Sequence, residues 1–221
     1  YEICACLVGS EMCIRDSIVG QCIGAGALAA VGSAYTLMVF LISVLLGLAM
    51  GSGTVFSLHY GAGNHVALRR SIFSSFVLIG IVTLILNVAV FIWLDPILRL
   101  LQVPQDIYGM MRSYLWIIFC GIVFTFIYNF YASLLRAVGD SVTPLWFLAV
   151  SVVLNIALDL FFILQLDWGI QGAAAATVLA QGVAALGIII YTYRRRPELR
   201  WHHEDMCFDR TCLKEIASFS T

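Results

Sequence analysis

Charged residues are scarce in this chain of 221 residues: only 11% are Asp, Glu, Lys or Arg, whereas 62% are hydrophobic and the mean hydropathy is +0.97. Soluble globular domains contain about 25% charged residues, so this composition excludes most soluble proteins. The formal net charge is −1, and no basic surface typical of nucleic-acid binding is present. We therefore expect no nucleic-acid partner, and we expect the lipid bilayer to be the solvent for most of the chain.

Motifs of catalysis and of metal binding are also missing. No HExxH or GxSxG pattern occurs in the sequence. His202, His203, Cys207 and Cys212 lie close together in the chain but lack the spacing of a zinc site, and a solvated loop explains them better. The sequence therefore predicts neither an enzyme nor a resident metal or cofactor.

The two ends of the chain differ from its middle. Residues 1–17 include the stretch CLVGSEMCIRDS, which resembles translated adapter sequence, and we interpret this segment as a non-native leader. It is a poor signal peptide, because its apolar run is short and no basic region precedes it. We predict a membrane domain over residues 18–200. Residues 201–221 are predicted to form a cytoplasmic loop that stops where another apolar segment starts.

Long uncharged runs predict five membrane-spanning helices. Each run is long enough to cross a bilayer at 1.5 Å per residue. The earlier stretch IVGQCIGAGALAAVG is short and rich in Gly, so we expect the end of a preceding span and a tight connection there. Runs such as FVLIGIVTLIL do not alternate, which excludes a β-barrel and predicts an all-α polytopic membrane protein. The five runs cover residues 32–58, 71–94, 113–135, 141–166 and 170–193.

The basic residues indicate an orientation in the membrane. If the spans cross alternately, only Arg99 and Arg112 fall on one side, and the positive-inside rule makes the opposite side cytoplasmic. We expect the loop from Asp95 to Arg112 to be external, with a short amphipathic stretch around Ile97 to Leu101. The basic residues on the cytoplasmic side are Arg69, Arg70, Arg136, Arg194, Arg195, Arg196, Arg200, Arg210 and Lys214.

One acidic residue, Asp159, lies well inside a predicted span. A charged side chain at the bilayer centre costs about 2.5–3.5 kcal/mol on insertion scales, so such residues are usually functional and face the interior of a helical bundle. Asn155 precedes Asp159 by four residues and lies on the same helical face. Counted from the turn near Asp167, we expect Thr177 at the depth of Asp159 and Gln181 at the depth of Asn155. The two helices are thus predicted to share one small polar cavity.

The chemistry of this cluster suits a small cation. A carboxyl group within the bilayer can carry a proton, and oxygens of Asp159, Asn155 and Thr177 are ligands that a hard monovalent cation such as Na⁺ prefers. A second interpretation stays open, in which Asn155 and Thr177 only join two helices and Thr177 bonds to its own helix backbone. We predict a coupling-ion site for H⁺ or Na⁺ at Asp159, Asn155 and Thr177, with Gln181 as a secondary polar group.

Five ordered motifs resemble those of the multidrug and toxic compound extrusion (MATE) family: DSIVGQCIGAGALAAVGSA, GLAMGSGTVFSLHYGAGN, LLRAVGDSVTPL, NIALD and GIQGAAAATVLAQ. The resemblance runs from about residue 16 to the end of the chain. It implies the N-terminal six-helix lobe of a twelve-helix transporter, here five complete spans plus the end of the first, with a C-terminal lobe as partner. It also implies that Asn155 and Asp159 match the family's fifth-helix pair and Thr177 its sixth-helix hydroxyl, while Asp16 stands at the place of its first-helix Asp.

The resemblance further implies secondary active transport. We expect an antiporter of the cell membrane that exports organic small molecules, in particular amphipathic cations, in exchange for H⁺ or Na⁺. This lobe alone is expected to be inactive, because alternating access needs an opposite wall. Two alternatives stay open: a flippase of lipid-linked saccharides, which would be expected to carry basic residues within its spans, and a non-transporting membrane scaffold. The spans contain no such basic residues.

Overall fold

Five long helices make up most of the part of the chain that the computed structural model describes, which is residues 25–100, 105–166 and 168–199. Each helix carries a segment long and apolar enough to cross a bilayer. The predicted all-α polytopic fold with five spans is therefore confirmed. The helices are α1 (Ala25–Gly61), α2 (His65–Leu100), α3 (Gln105–Ala137), α4 (Val142–Leu164) and α5 (Gly169–Arg195), followed by a 3-10 turn at Pro197–Leu199.

The first helix begins earlier than predicted. Residues 25–31 were expected to belong to the end of a preceding span and its connection, yet they are part of α1, which is 37 residues long. Gly residues are more frequent in membrane helices than in soluble ones, so the Gly-rich composition of this stretch did not mark a turn. The remaining positions of the predicted earlier span, residues 18–24, lie outside the described residues, as do residues 1–17 and 201–221.

The predicted external loop between Asp95 and Arg112 is mostly helical. α2 continues through Pro96 to Leu100, and α3 begins at Gln105, well before Arg112. Charged side chains are acceptable in these helix ends, because the ends reach the headgroup region where charges contact water. The expectation of a long loop was therefore wrong, since the uncharged runs mark only the hydrocarbon-crossing part of each helix.

Short connections place successive helices side by side. Gly63, Gly139 and Gly169 have φ angles of 67°, 89° and 55°, in the left-handed region that Gly adopts without steric cost. Asp140 precedes α4 and caps its first turn. Its carboxylate accepts hydrogen bonds from the Thr143 backbone N–H at 3.1 Å and from the Thr143 hydroxyl at 2.8 Å. This capping satisfies helix donors that would otherwise lack partners.

α3 is the central helix of the bundle. It packs against α1, α2 and α5, whereas α4 contacts mainly α5. The ring of Phe130 on α3 meets Phe56 of α1 and Phe76 of α2 edge-on, at centroid distances of 5.9 and 5.2 Å. The Asn87 amide of α2 donates a hydrogen bond to the carbonyl oxygen of Phe119 at 2.7 Å. Edge-to-face rings and a buried amide bond therefore hold the first three helices together.

The outward faces of the helices are strongly apolar. Leu84, Ile85 and Ile92 on α2 and Val153 on α4 are each more than 60% exposed. Such a surface is expected in contact with lipid, where exposing a large apolar side chain has no cost. These side chains therefore mark the faces of α2 and α4 that point away from the described bundle.

Gly121 lets α3 and α5 approach closely. A Cβ added at this position would overlap the side chain of Val178 on α5. Small residues at such crossings are the usual means by which membrane helices pack, because lipid gives little hydrophobic drive for their association. The α3–α5 contact therefore depends on the absence of a side chain at Gly121.

We expect Gly121→Ala to destabilise the protein by about 1–3 kcal/mol, because the added methyl group overpacks the contact with Val178. Thermal unfolding of the detergent-solubilised protein measures the effect. The matched control is Gly109→Ala on the same helix, where a Cβ would meet nothing within 4 Å and where Ala improves helix propensity. Equal melting temperatures for the two variants would contradict the assigned packing role.

Candidate functional site

Three of the predicted site residues form the buried polar face between α4 and α5. Asn155 and Asp159 are each 1% exposed, and Thr177 is 5% exposed. Asn155 and Asp159 belong to one buried stripe of α4, as their spacing of four residues predicted. Asp16, the fourth residue implied by the family resemblance, lies outside the described residues. The interior position predicted for Asp159 is therefore confirmed.

A hydrogen bond joins the two helices at this face. The Asn155 side-chain amide donates to the Thr177 hydroxyl oxygen at 3.2 Å, and that hydroxyl donates to the Ala173 carbonyl oxygen of its own helix at 3.0 Å. The Thr177 hydroxyl therefore donates a hydrogen bond to the α5 backbone and accepts one from the Asn155 amide. Both parts of the second interpretation, the interhelical bond and the backbone bond, are present in the structure.

The register of α4 and α5 differs from the prediction by one turn. Asn155 lies nine residues before the end of α4 and pairs with Thr177, eight residues after the start of α5. Asp159 lies only five residues before the end of α4, which places it about 4.5 Å nearer the connection than Thr177 at 1.5 Å per residue. The expectation that Asp159 and Thr177 share one depth was therefore wrong.

Gln181 bonds to α3 instead of α4. The Thr125 hydroxyl donates to the side-chain oxygen of Gln181, and the Asn129 amide donates to the Thr125 carbonyl oxygen at 2.8 Å. Sequence reasoning missed Thr125 and Asn129. The signal was available, because these two polar residues lie four apart in an apolar span, the same pattern that identified Asn155 and Asp159.

A small cavity lies between α1, α3 and α5 and connects the two polar pairs. It leaves about 20 Å³ of space for the centre of a water molecule, which is enough for one water. Thr177 therefore contacts Asn155 on one side and borders a hydratable space on the other. The lining residues are Met38, Leu41 and Ile42 of α1, Ile118, Phe119, Ile122 and Thr125 of α3, and Thr177, Val178 and Gln181 of α5.

The donor set of the described site consists of one carboxylate with neutral amide and hydroxyl oxygens. Nowhere in the ranges 25–100, 105–166 and 168–199 do three His, Cys, Asp or Glu side chains come together. Oxygen donors with a single negative charge suit a proton or a hard monovalent cation, whereas transition metals favour imidazole and thiolate ligands. In its chemistry, this donor set therefore differs from that of a transition-metal site.

Known proteins share this sequence pattern. The family model described as MatE matches residues 5–161, a range that includes Asp16 and most of the segment 1–17. The chain is 37% identical over 182 residues to the Probable multidrug resistance protein YpnP of Bacillus subtilis. This alignment covers 82% of this chain and 41% of that protein. It is 32% identical over 171 residues to the Multidrug export protein MepA of Staphylococcus saprophyticus, which covers 74% of this chain and 37% of that protein. The chain thus spans less than half the length of these relatives.

Solved structures share the fold. The outward-facing conformation of a multidrug resistance MATE family transporter of the MOP superfamily matches 99% of this chain with a TM-score of 0.90 at 23% identity, over 49% of its own length. The inward-facing conformation of such a transporter matches 96% of this chain with a TM-score of 0.89 at 24% identity, over 48% of its own length. At these identities the likeness shows the fold alone.

We expect Thr177→Val to cost more stability than Thr192→Val, although both residues are buried on α5 and both bond to the carbonyl four residues earlier. Only the Thr177 hydroxyl also accepts the bond from Asn155. A double-mutant cycle of Thr177→Val with Asn155→Leu, measured by unfolding, should give a coupling energy of about 0.5–1.5 kcal/mol. Additive effects in the cycle would show that the interhelical bond does not form.

Proposed function

The chain belongs to the MatE family, and we propose that the complete protein is a secondary active antiporter that exports organic small molecules in exchange for H⁺ or Na⁺. The chain spans about half the length of the relatives it matches, so the activity is proposed for a protein with a second lobe that supplies the opposite wall of the transport cavity. The observation that carries the proposal is Asp159, a carboxyl group 1% exposed inside a membrane-spanning helix.

Binding of a cation lowers the free energy needed to bury the Asp159 side chain in the helical bundle. An ionised carboxylate within the bilayer is unfavourable, and a bound H⁺ or Na⁺ removes or offsets that charge. Each unit charge that moves inward across the membrane gains about 2.3 kcal/mol per 100 mV of membrane potential. The ion gradient can therefore drive export if the ion binds one conformation more tightly than the other, since equal binding would shift nothing.

The α4–α5 contact is where ion binding acts on the conformation. Asp159 lies one turn along α4 from Asn155, whose amide bonds to Thr177 of α5. A cation at Asp159 attracts the same neutral oxygens that hold the two helices together, so occupancy of the site biases how α4 packs on α5. This local change is the proposed link between the ion and the orientation of the lobe.

The proposed substrates are organic cations with an apolar body. The matched relatives carry names that refer to multidrug resistance and multidrug export. The competing flippase function would need basic groups within the spans to hold a pyrophosphate. In the described spans the Arg residues lie near the helix ends, and the described residues of the small cavity include none. An export substrate of positive charge therefore fits this lobe better than a lipid-linked anion.

The proposed location is the cell membrane, with the basic loops in the cytoplasm. Arg69 and Arg70 at the start of α2, Arg136 at the end of α3 and Arg194 at the end of α5 lie at the same end of the bundle, because successive helices run in opposite directions. The positive-inside rule assigns that end to the cytoplasm. Asp159 then lies nearer the external surface than Asn155 does.

We expect Asp159→Asn in the full-length protein to abolish ion-driven efflux, because the neutral amide can neither carry a proton nor supply a charged ligand to Na⁺. Ethidium efflux from proteoliposomes is measured with an imposed pH gradient in the absence of Na⁺, and separately with a Na⁺ gradient at constant pH. The wild-type protein should respond to at least one gradient, and the responding gradient identifies the coupling ion.

The matched control for this measurement is Asp140→Asn. Asp140 lies at the cytoplasmic end and caps α4, and Asn is an equally good capping residue, so efflux should be retained. Membrane insertion of both variants is checked by extraction and gel filtration. Efflux by Asp159→Asn at the wild-type rate would refute the assignment of the coupling site.

The orientation has a separate test. Green fluorescent protein fused after Asn64 should fluoresce, because that connection is proposed to be cytoplasmic, whereas alkaline phosphatase fused after Leu166 should be active outside the membrane. The exchanged pair of fusions, with each reporter at the other site, serves as the control. The reverse pattern of activities would overturn the proposed topology while leaving the fold untouched.

A further inference from the structure

A second cavity, distinct from the ion site, opens between the third and fourth turns of α3 and the first turn of α5. Its volume is about 330 Å³, and no residue of α4 lines it. It lies at the end of the bundle opposite Arg136 and Arg194, which is the external end in the proposed topology. The lining residues are Arg112, Ser113, Trp116 and Ile117 of α3 and Gln171 of α5.

The cavity lies at the depth of the lipid headgroups. Arg112 is four residues from the start of the apolar span at Tyr108, and Gln171 is two residues from the start of the α5 span at Gly169. At 1.5 Å per residue both lie within about 6 Å of the span ends. Trp116 is 47% exposed beside them, in the position that interfacial aromatic side chains favour.

Arg112 forms a half-exposed ion pair beside this cavity. Its Nε donates to Oδ1 of Asp95 at 3.1 Å, and the Tyr108 hydroxyl donates to the same oxygen at 2.8 Å. This ion pair uses Nε alone. Toward the described residues, the two terminal nitrogens of the Arg112 guanidinium donate no hydrogen bond. The planar end of the guanidinium can therefore donate to a ligand without breaking the bond to Asp95.

The geometry points to a binding site for the phosphate group of an anionic membrane phospholipid. A guanidinium presents parallel N–H groups that match two oxygens of a phosphate. The Ser113 hydroxyl and the Gln171 amide supply further donors from the two walls of the cavity. Among the described residues that line the cavity, Arg112 is the one charged side chain, so the cavity favours an anionic headgroup. Trp116 and Ile117 supply apolar surface for the glycerol and upper acyl groups.

A lipid bound in this cavity contacts α3 and α5 together. These two helices cross at Gly121 and Val178, deeper in the membrane, and the cavity separates their outer ends. A headgroup that contacts Arg112 on one wall and Gln171 on the other bridges that gap. Binding to the folded protein then raises its stability in proportion to lipid occupancy.

The test measures thermal unfolding of the full-length protein in detergent while phosphatidylglycerol is titrated into mixed micelles. Parallel titrations use phosphatidylcholine and inorganic phosphate. We expect phosphatidylglycerol to raise the melting temperature of the wild-type protein more than phosphatidylcholine does.

Arg112→Gln should weaken the apparent affinity for phosphatidylglycerol about tenfold, because a charge-assisted hydrogen bond is lost. The matched control Arg99→Gln removes an exposed Arg at the same end of the bundle that does not line the cavity, and should titrate as wild type.

A second variant tests the same cavity in case Arg112→Gln does not fold. Gln171→Glu leaves Asp95 and Arg112 in place and adds a negative charge on the opposite wall, so repulsion should weaken phosphatidylglycerol binding to a similar degree. Equal titrations for wild type and both cavity variants would overturn the proposal. An equal stabilisation by inorganic phosphate would show that a free anion, and no lipid, is the ligand, and would overturn it as well.

Discussion

The close packing of α5 against α3 and α4 is the constraint on which the other features of this structure depend. Helices in lipid associate through van der Waals contact and interhelical hydrogen bonds, because burial of apolar surface gives little free energy there. The small face of α5 brings Thr177 to Asn155 and Gln181 to Thr125. Larger side chains on this face would separate the helices and break both polar pairs. The small buried residues of α5 are Gly172, Ala173, Ala174, Ala176, Ala180, Gly182, Ala184 and Ala185.

Two side-chain pairs of polar groups join α5 to its neighbours, one on each side. Asn155 bonds to Thr177 across the α4–α5 contact, and Thr125 bonds to Gln181 across the α3–α5 contact. Thr177 also borders the small cavity between α1, α3 and α5. Thr177 therefore connects the α4–α5 contact with the space between α1, α3 and α5.

Part of the candidate site followed from local patterns. The cost of a charge in the bilayer singled out Asp159, and the spacing of four residues placed Asn155 on the same face, where the structure has it. The pairing across helices did not follow, because counting from the turn aligned Thr177 with Asp159 instead of Asn155. Thr125 was missed although it lies four residues from Asn129, and its pairing with Gln181, 56 residues away in the chain, does not follow from local spacing.

Hydropathy and charge by themselves determined the five membrane-spanning helices of the described residues, and which end of them carries the basic residues. Only the tertiary structure decided that α3 is the central helix, that α4 packs mainly on α5, and that Arg112 and Gln171 face one cavity. The physical reason is that hydropathy records the transfer of each residue from water to an apolar medium. An apolar side chain that faces lipid and one that faces another helix have the same transfer free energy. Which helices become neighbours therefore depends on the packing of small residues and on polar pairs from distant parts of the chain.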